Sequence, residues 1–268
     1  MSTYQSTEIF ARLNEALDAF SPSERQDLVK QVNGIFEFHI KKDKSPNAEV
    51  KIWHAEVKNK GVINEGPAPS TPDITLFLTD EDMVALAVGD LSGARAFITD
   101  RIGLKGPMMM AMKLDVIFRS LGMGPPKGAE GDLGYDGFES SFLILQIYEY
   151  LQVLSDEERK AEVARVKGVF LFNVKNSKGD TAVWTMDMKN GIGQMKKGKI
   201  EGLKPDIVLE MKDKDFVDLF MGKTNGQKAF MTGKIKVKGA IMLALKLDTM
   251  MKDTQEKIGF FGQKQAKL

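Results

Sequence analysis

Two histidines, two pairs of carboxylates and one glycine pair are the residues whose types and spacing invite a chemical reading. His39 and His54 fall on two adjacent predicted strands, on the face opposite an aromatic set, where they could meet across a hairpin. Zinc needs three or four ligands, and the corresponding positions later in the chain are Asn173 and Thr185. No metal site is expected. Asp80 with Asp82, and Asp213 with Asp215, have a spacing that suits paired carboxylates in acid–base work. Both pairs precede apolar runs, where helix capping and the helix dipole explain an acidic residue. Asp80 and Asp213 are therefore predicted as N-caps. Gly89 to Gly93 lacks the lysine and hydroxyl of a phosphate loop. Cysteine is absent, which removes disulfides, thiolate metal ligands and a cysteine nucleophile. No catalytic residue, metal or cofactor is expected.

The elements that position these residues occur twice. Pro72-Asp73-Ile74 matches Pro205-Asp206-Ile207, an offset of 205 − 72 = 133. The offset holds without a gap to Lys113-Leu114-Asp115 against Lys246-Leu247-Asp248, with about half the positions identical. Upstream, Gly34-Ile35-Phe36-Glu37-Phe38 pairs with Gly168-Val169-Phe170-Leu171-Phe172, Trp53 with Trp184, and Lys58-Asn59 with Lys189-Asn190. A period this long is a domain, not a solenoid unit. We read copy one at 1–121, a Gly/Pro-rich linker at 122–134 around Pro125-Pro126, and copy two at 135–268.

Within each copy the apolar period changes along the chain. Ile9, Leu13, Ala16, Leu17 and Phe20 recur at helical spacing, then Ser21-Pro22 starts a second helix. Copy two has Phe138, Phe142, Leu145, Ile147, Tyr148 and Leu151, then Ser155 as a cap. A period of two follows: Phe36, Phe38 and Ile40, then Trp53, Ala55 and Val57, then Ile74, Leu76 and Leu78, with their counterparts in copy two. Short helices are predicted to end at Gly89 and Gly222, as a Gly C′ residue would require. A short strand is placed around Ile102 and Ile235, and Met-rich helices over 108–121 and 241–251. Helices, a run of strands and further helices on one sheet make an α+β domain.

Composition bounds the function. Apolar residues make up 43% and charged residues 28%, a core-forming balance. No apolar run approaches the length of a membrane span. Met1 to Ala11 lack a basic stretch followed by an apolar block, so no secretory signal is expected. Residues 1–121 hold 14 Lys/Arg and 17 Asp/Glu, a net of −3; the rest of the chain holds 24 and 20, a net of +4. Neither half has the basic stripe that nucleic acid requires, although the basic second half suits an anionic lipid surface or headgroup.

Taken in order, Gly-Ile-Phe-x-Phe, the Trp strand ending in Lys-Asn, Pro-Asp-Ile, the short helix ending in glycine, Ala-Phe, the Lys-Gly strand and the Ala-Met/Leu-Lys-Leu helix resemble the sterol carrier protein type-2 lipid-transfer domain. The resemblance covers nearly all of both copies. It implies in each a five-stranded, mostly antiparallel sheet covered by helices around an apolar tunnel. It implies binding and transfer of fatty acids, fatty acyl-CoA, sterols or phospholipids without chemistry. The expected lining is Phe36, Trp53, Leu76, Phe97, Ile102, Met109 and Met112 in copy one. In copy two it is Phe170, Trp184, Leu209, Phe216, Phe230, Ile235, Met242, Leu243 and Leu247. Methionine, unbranched and polarizable, adapts to ligands of varied shape. Copy one departs at Asp100 and Pro107, where copy two has Gly233 and Ala240, and in its Gly66-Pro67-Ala68-Pro69 loop. Copy two is thus expected to be the more conventional carrier. An adaptor with filled cores, binding protein or membrane, is the alternative.

The last residues, Ala266-Lys267-Leu268, are a conservative variant of the Ser-Lys-Leu peroxisomal address. Expected partners are therefore a lipid ligand, a peroxisomal import receptor and a transient membrane surface, with no nucleic acid. The expected state is a monomer in the peroxisome with a cytoplasmic pool.

Overall fold

The computed structural model describes residues 4–107, 110–111, 113–114, 117–118, 121–122 and 133–257. These fall into two compact units, divided near residue 126. In the first, α1 (Ser6–Asp18) and α2 (Pro22–Val32) precede β1 (Gly34–Lys41), β2 (Val50–Val57), β3 (Val62–Glu65) and β4 (Ile74–Thr79). Then come α3 (Asp80–Val88), α4 (Gly93–Ile98) and β5 (Gly103–Lys105). The second unit repeats the plan: α5 (Ser140–Val153), α6 (Asp156–Val166), β6 (Gly168–Lys175), β7 (Thr181–Met188), β8 (Gln194–Lys197) and β9 (Ile207–Lys212). It continues with α7 (Asp213–Phe220), α8 (Gly226–Met231), β10 (Ile235–Gly239) and α9 (Ile241–Lys257).

Each unit has one five-stranded sheet, in the order β3-β2-β1-β4-β5 or β8-β7-β6-β9-β10. The central pairs β1–β4 and β6–β9 are parallel and every other pair is antiparallel. The sheets are thus mostly antiparallel and the class is α+β.

Local chemistry explains the helix boundaries. Ser21 and Glu24 form a capping box with Pro22 at the first helical position, and Ser155 with Glu158 does the same for α6. Both helices end on a left-handed residue, Asn33 (φ 45°) and Lys167 (φ 53°), which turns the chain directly into the central strand. Register then puts Phe36 beside Ala55 and Ile74, and Phe38 beside Trp53 and Leu76, on one face. The apolar stripe of α1, Ile9, Phe10, Leu13 and Leu17, covers that face. Phe10 is fully buried and stacks on Trp53 at 4.5 Å between ring centres; truncating it to alanine would cost about 3–5 kcal/mol.

Of the Met-rich segment after β5, Met110, Ala111, Lys113, Leu114, Ile117 and Phe118 are described and helical. Met108, Met109 and Met112 lie outside the described residues, as do Ala266, Lys267 and Leu268. Gly34 and Gly168 let the final helices approach the sheet. A Cβ on Gly168 would come within 2.7 Å of Leu243 Cδ1, and one on Gly34 would strike the Met110 side chain.

Candidate functional site

The polar residues of the repeat motifs are engaged in holding the scaffold. Asp80 and Asp213 are not the N-caps of the helices they begin, as the sequence reading had them; Thr79 and Lys212 occupy those positions. Asp80 instead accepts the Gln5 and Ser6 amides at 2.9 and 2.8 Å, and Asp213 accepts those of Glu139 and Ser140 at 2.9 and 3.0 Å. Each carboxylate caps the first helix of its unit from across the chain, where Gln5 and Glu139 make no side-chain cap of their own. Burial would raise the Asp80 carboxyl, but the Ser6 and Gln5 hydrogen bonds outweigh it and hold it below its ordinary value. Asp82 turns elsewhere, accepting from Arg101 Nε at 2.6 Å, and Asp215 lies 3.5 Å from Lys234. The paired carboxylates therefore diverge to separate structural partners.

The same holds for the other motifs. Asp73 of Pro-Asp-Ile accepts the Ile35 amide at 2.9 Å, and Asp206 accepts that of Val169 at 3.0 Å, fixing the start of the central strand. Glu56 and Asp187 accept the amides of the Lys-Asn turns at 58–59 and 189–190. Lys113 and Lys246 donate to the last carbonyls of α2 and α6, Val32 and Val166, at 2.7 and 3.1 Å.

The histidines do not face each other. Register pairs His54 with Glu37 and His39 with Ile52, because the two histidines sit on a diagonal of the antiparallel ladder. His54 Nδ1 bonds the Gly66 carbonyl at 2.9 Å. In the second unit Thr185 donates to the equivalent Gly198 carbonyl at 2.7 Å, so the two side chains serve one structural purpose. Glu37 accepts the Ala68 amide at 2.9 Å and bonds His39 at 2.7 Å, which pins the proline-rich loop to the outer sheet face. Among the described residues no group of three or more His, Asp or Glu is arranged to hold a metal.

What remains is an apolar cavity of about 550 Å³ in the second unit. This lies within the range of small-molecule sites, roughly 300–1,000 Å³. Its sheet wall is Phe172 on β6, Leu209 and Met211 on β9, and Ile235 and Val237 on β10. Register places these five side by side on one face. Phe216 and Leu219 of α7, Phe230 of α8 and Leu247 and Met251 of α9 close the opposite side. At the mouth, Phe230 is 44% exposed, Met242 66%, and Ile241 and Leu245 are exposed as well. Leu209, Phe216, Phe230, Ile235, Met242 and Leu247, named from the sequence, thus border the cavity, with Phe230 and Met242 at its rim.

Phe170, Trp184 and Leu243 do not border it. Trp184 lies on β7, across the central strand, where Tyr135 and Phe138 meet its ring edge-on and its indole donates to the Leu133 carbonyl at 2.7 Å. Leu243 fills the space left by Gly168, and Phe170 is fully buried beside Ile207 and Met186. Sequence reasoning passed over Phe172, Met211 and Val237; the period of two that selected Phe170, Leu209 and Ile235 contains all three. In the first unit Phe36, Trp53, Leu76 and Ile102 are buried in one apolar cluster, and Phe97 is buried too.

A family model described as the SCP-2 sterol transfer family matches residues 13–119 and 147–252. The fatty acid-binding protein of Yarrowia lipolytica is 37% identical over 127 residues, which are 47% of this chain and 98% of that protein. The oleate-induced peroxisomal protein POX18 of Candida maltosa is 38% identical over 120 residues, 44% of this chain and 90% of that protein. The chain covers only 27% and 28% of longer relatives. Among solved structures, the apo form of sterol carrier protein 2 from Yarrowia lipolytica superposes with a TM-score of 0.43 at 38% identity, over 46% of this chain and 98% of that one.

Proposed function

Because the chain belongs to the SCP-2 sterol transfer family, we propose that it binds and transfers lipids without catalysing a reaction, through two domains at 1–121 and 135–268 joined by 122–134. Fatty acids, fatty acyl-CoA, sterols and phospholipids are the candidate ligands. The cavity of about 550 Å³ between the second sheet and α7, α8 and α9 carries this reading. A buried acyl chain gains about 0.8 kcal/mol per methylene before ordering costs, so apolar walls alone supply useful affinity. The structural engagement of the motif carboxylates and lysines argues against a catalytic role for them. An adaptor with filled cores does not account for that void.

The exposed Phe230, Ile241, Met242 and Leu245 around the mouth support transient contact with a membrane, where an apolar rim would shorten the path of a chain through water. Ala266-Lys267-Leu268 and the similarity to a peroxisomal relative support import by a peroxisomal receptor, leaving a cytoplasmic pool, and we propose that the protein is monomeric. Native mass spectrometry of protein purified from cells should show a co-purified lipid, and a fluorescent fatty acid should bind and be displaced by acyl-CoA. Absence of both signals overturns the proposal.

A further inference from the structure

The apolar cavity of the second unit does not end in apolar walls. It borders a second pocket of about 260 Å³, with which it shares the lining residues Leu219, Asn225, Asp248, Met251 and Lys252. The lining of this pocket changes character: Lys223, Lys228 and Lys252 stand around it with Thr224 and Asn225. Lys252 is 2.7 Å from Asp248, which also lines the pocket, and Lys223 is 3.7 Å from Asp218. Among the described residues Lys228 has no ion-pair partner. The three lysines and Asp248 leave a net lining charge of 3 − 1 = +2. At the positions offset by 133, the first copy has Asp90, Arg95, Asp115 and Arg119, a net of 2 − 2 = 0.

An apolar chamber that shares a wall with a small cationic one matches a molecule with an apolar chain and a negative end. Resting on the lipid-carrier reading above, we propose that the second unit selects single-chain lipids with an anionic head, a carboxylate or a phosphate. The chain lies against Phe172, Leu209 and Val237, and the head sits among Lys223, Lys228 and Lys252. The three ammonium groups are solvent-accessible and on flexible stems, so they adapt to either head. Their attraction is screened by salt, as it is for any exposed charge. The contribution of the head is therefore modest and electrostatic, while the chain supplies most of the affinity.

The test uses the full delipidated chain, titrated to saturation with parinaric acid and with its uncharged methyl ester. The variant K223Q/K228Q/K252Q should bind the acid roughly tenfold more weakly, about 1.4 kcal/mol, and the ester within twofold of the unsubstituted protein. Raising the salt should weaken the acid and not the ester. K160Q/K178Q/K199Q removes the same charge from exposed positions outside both pockets and should leave both affinities unchanged. Palmitate or hexadecyl phosphate should displace the probe more strongly than hexadecanol, and the stronger of the two anions identifies the head. Equal weakening of acid and ester, no weakening of either, or an equal loss in the control variant overturns the headgroup site while leaving lipid carriage standing. Failure of the unsubstituted protein to bind either probe overturns both.

Discussion

Leu209 sits in the middle of the sheet wall of the cavity, between Phe172 on the central strand and Val237 on the edge strand. Replacing it with tryptophan sends an indole into the space a ligand chain would occupy. In a packed core such an enlargement costs about 1–3 kcal/mol. Here the void of about 550 Å³ receives the ring, so the ligand-free protein should melt within a few degrees of the unsubstituted one. An indole that displaces roughly four chain methylenes, at about 0.8 kcal/mol each, removes about 3 kcal/mol of binding. That is about two orders of magnitude in Kd at 1.4 kcal/mol per tenfold. With ligand at 100 times the original Kd, the unsubstituted site is stabilised by about 2.7 kcal/mol, and a hundredfold weaker site keeps about 0.4 kcal/mol. Thermal unfolding of the full chain with and without fatty acid, together with a fluorescence titration that counts sites, reads both quantities. The expected result is an unchanged ligand-free transition, loss of the ligand-induced rise in the second unit, and one tight site fewer. A Leu209→Trp protein that keeps its ligand-induced rise and the same number of sites would refute assignment of this cavity to lipid.

Further substitutions probe the scaffold and the tail. Asp80→Asn should lower stability at neutral pH by about 1–2 kcal/mol, because it weakens a charged cap on the Gln5 and Ser6 amides. The folded carboxyl is held below its ordinary value, so its contribution is full above the unfolded value near 3.9 and disappears as pH falls through the folded one. Denaturation curves of the two proteins should therefore converge in acid, and a constant gap down to the acid limit would contradict the capping role. Gly168→Ala should cost about 1–3 kcal/mol, since the new Cβ displaces Leu243 and lifts α9; an unchanged melting temperature would show that the helix has slack. Removal of Ala266-Lys267-Leu268 should shift a fluorescently tagged protein from peroxisomes to the cytoplasm, and unaltered distribution would dismiss the tripeptide as an address.

Much of the fold could be read from periodicity because it arises from short-range rules. Ser21-Pro22 and Ser155 start helices through contacts within one turn, and the capping boxes appear where those residues stand. Strands β1, β2 and β4 carry alternating apolar residues because one face is buried, and a slip of one residue would expose that whole set. Asp80 and Asp213 were misassigned for the opposite reason. Their nearest unpaired amides along the chain are not the ones they meet, since packing brings Gln5 and Glu139 to them from about 75 residues away. The two histidines were placed on the correct face and the wrong rung, because strand register depends on the turn between strands and not on alternation alone.

The candidate site divides along the same line. The amino-acid sequence by itself determined that one domain plan is written twice, that an apolar sheet face is covered by helices in each copy, and that the second copy is the more basic. It could not say which members of that face border empty space. Phe172, Leu209 and Trp184 obey one alternation, yet only the first two border the cavity. The tertiary structure decides this because β6 divides the face. Toward β7 the wall is filled by Trp184 with Tyr135 and Phe138, while toward β9 and β10 the helices α7, α8 and α9 stand off from the sheet. Apolar pattern specifies what avoids water, and the spacing between packed elements specifies where room for a ligand is left.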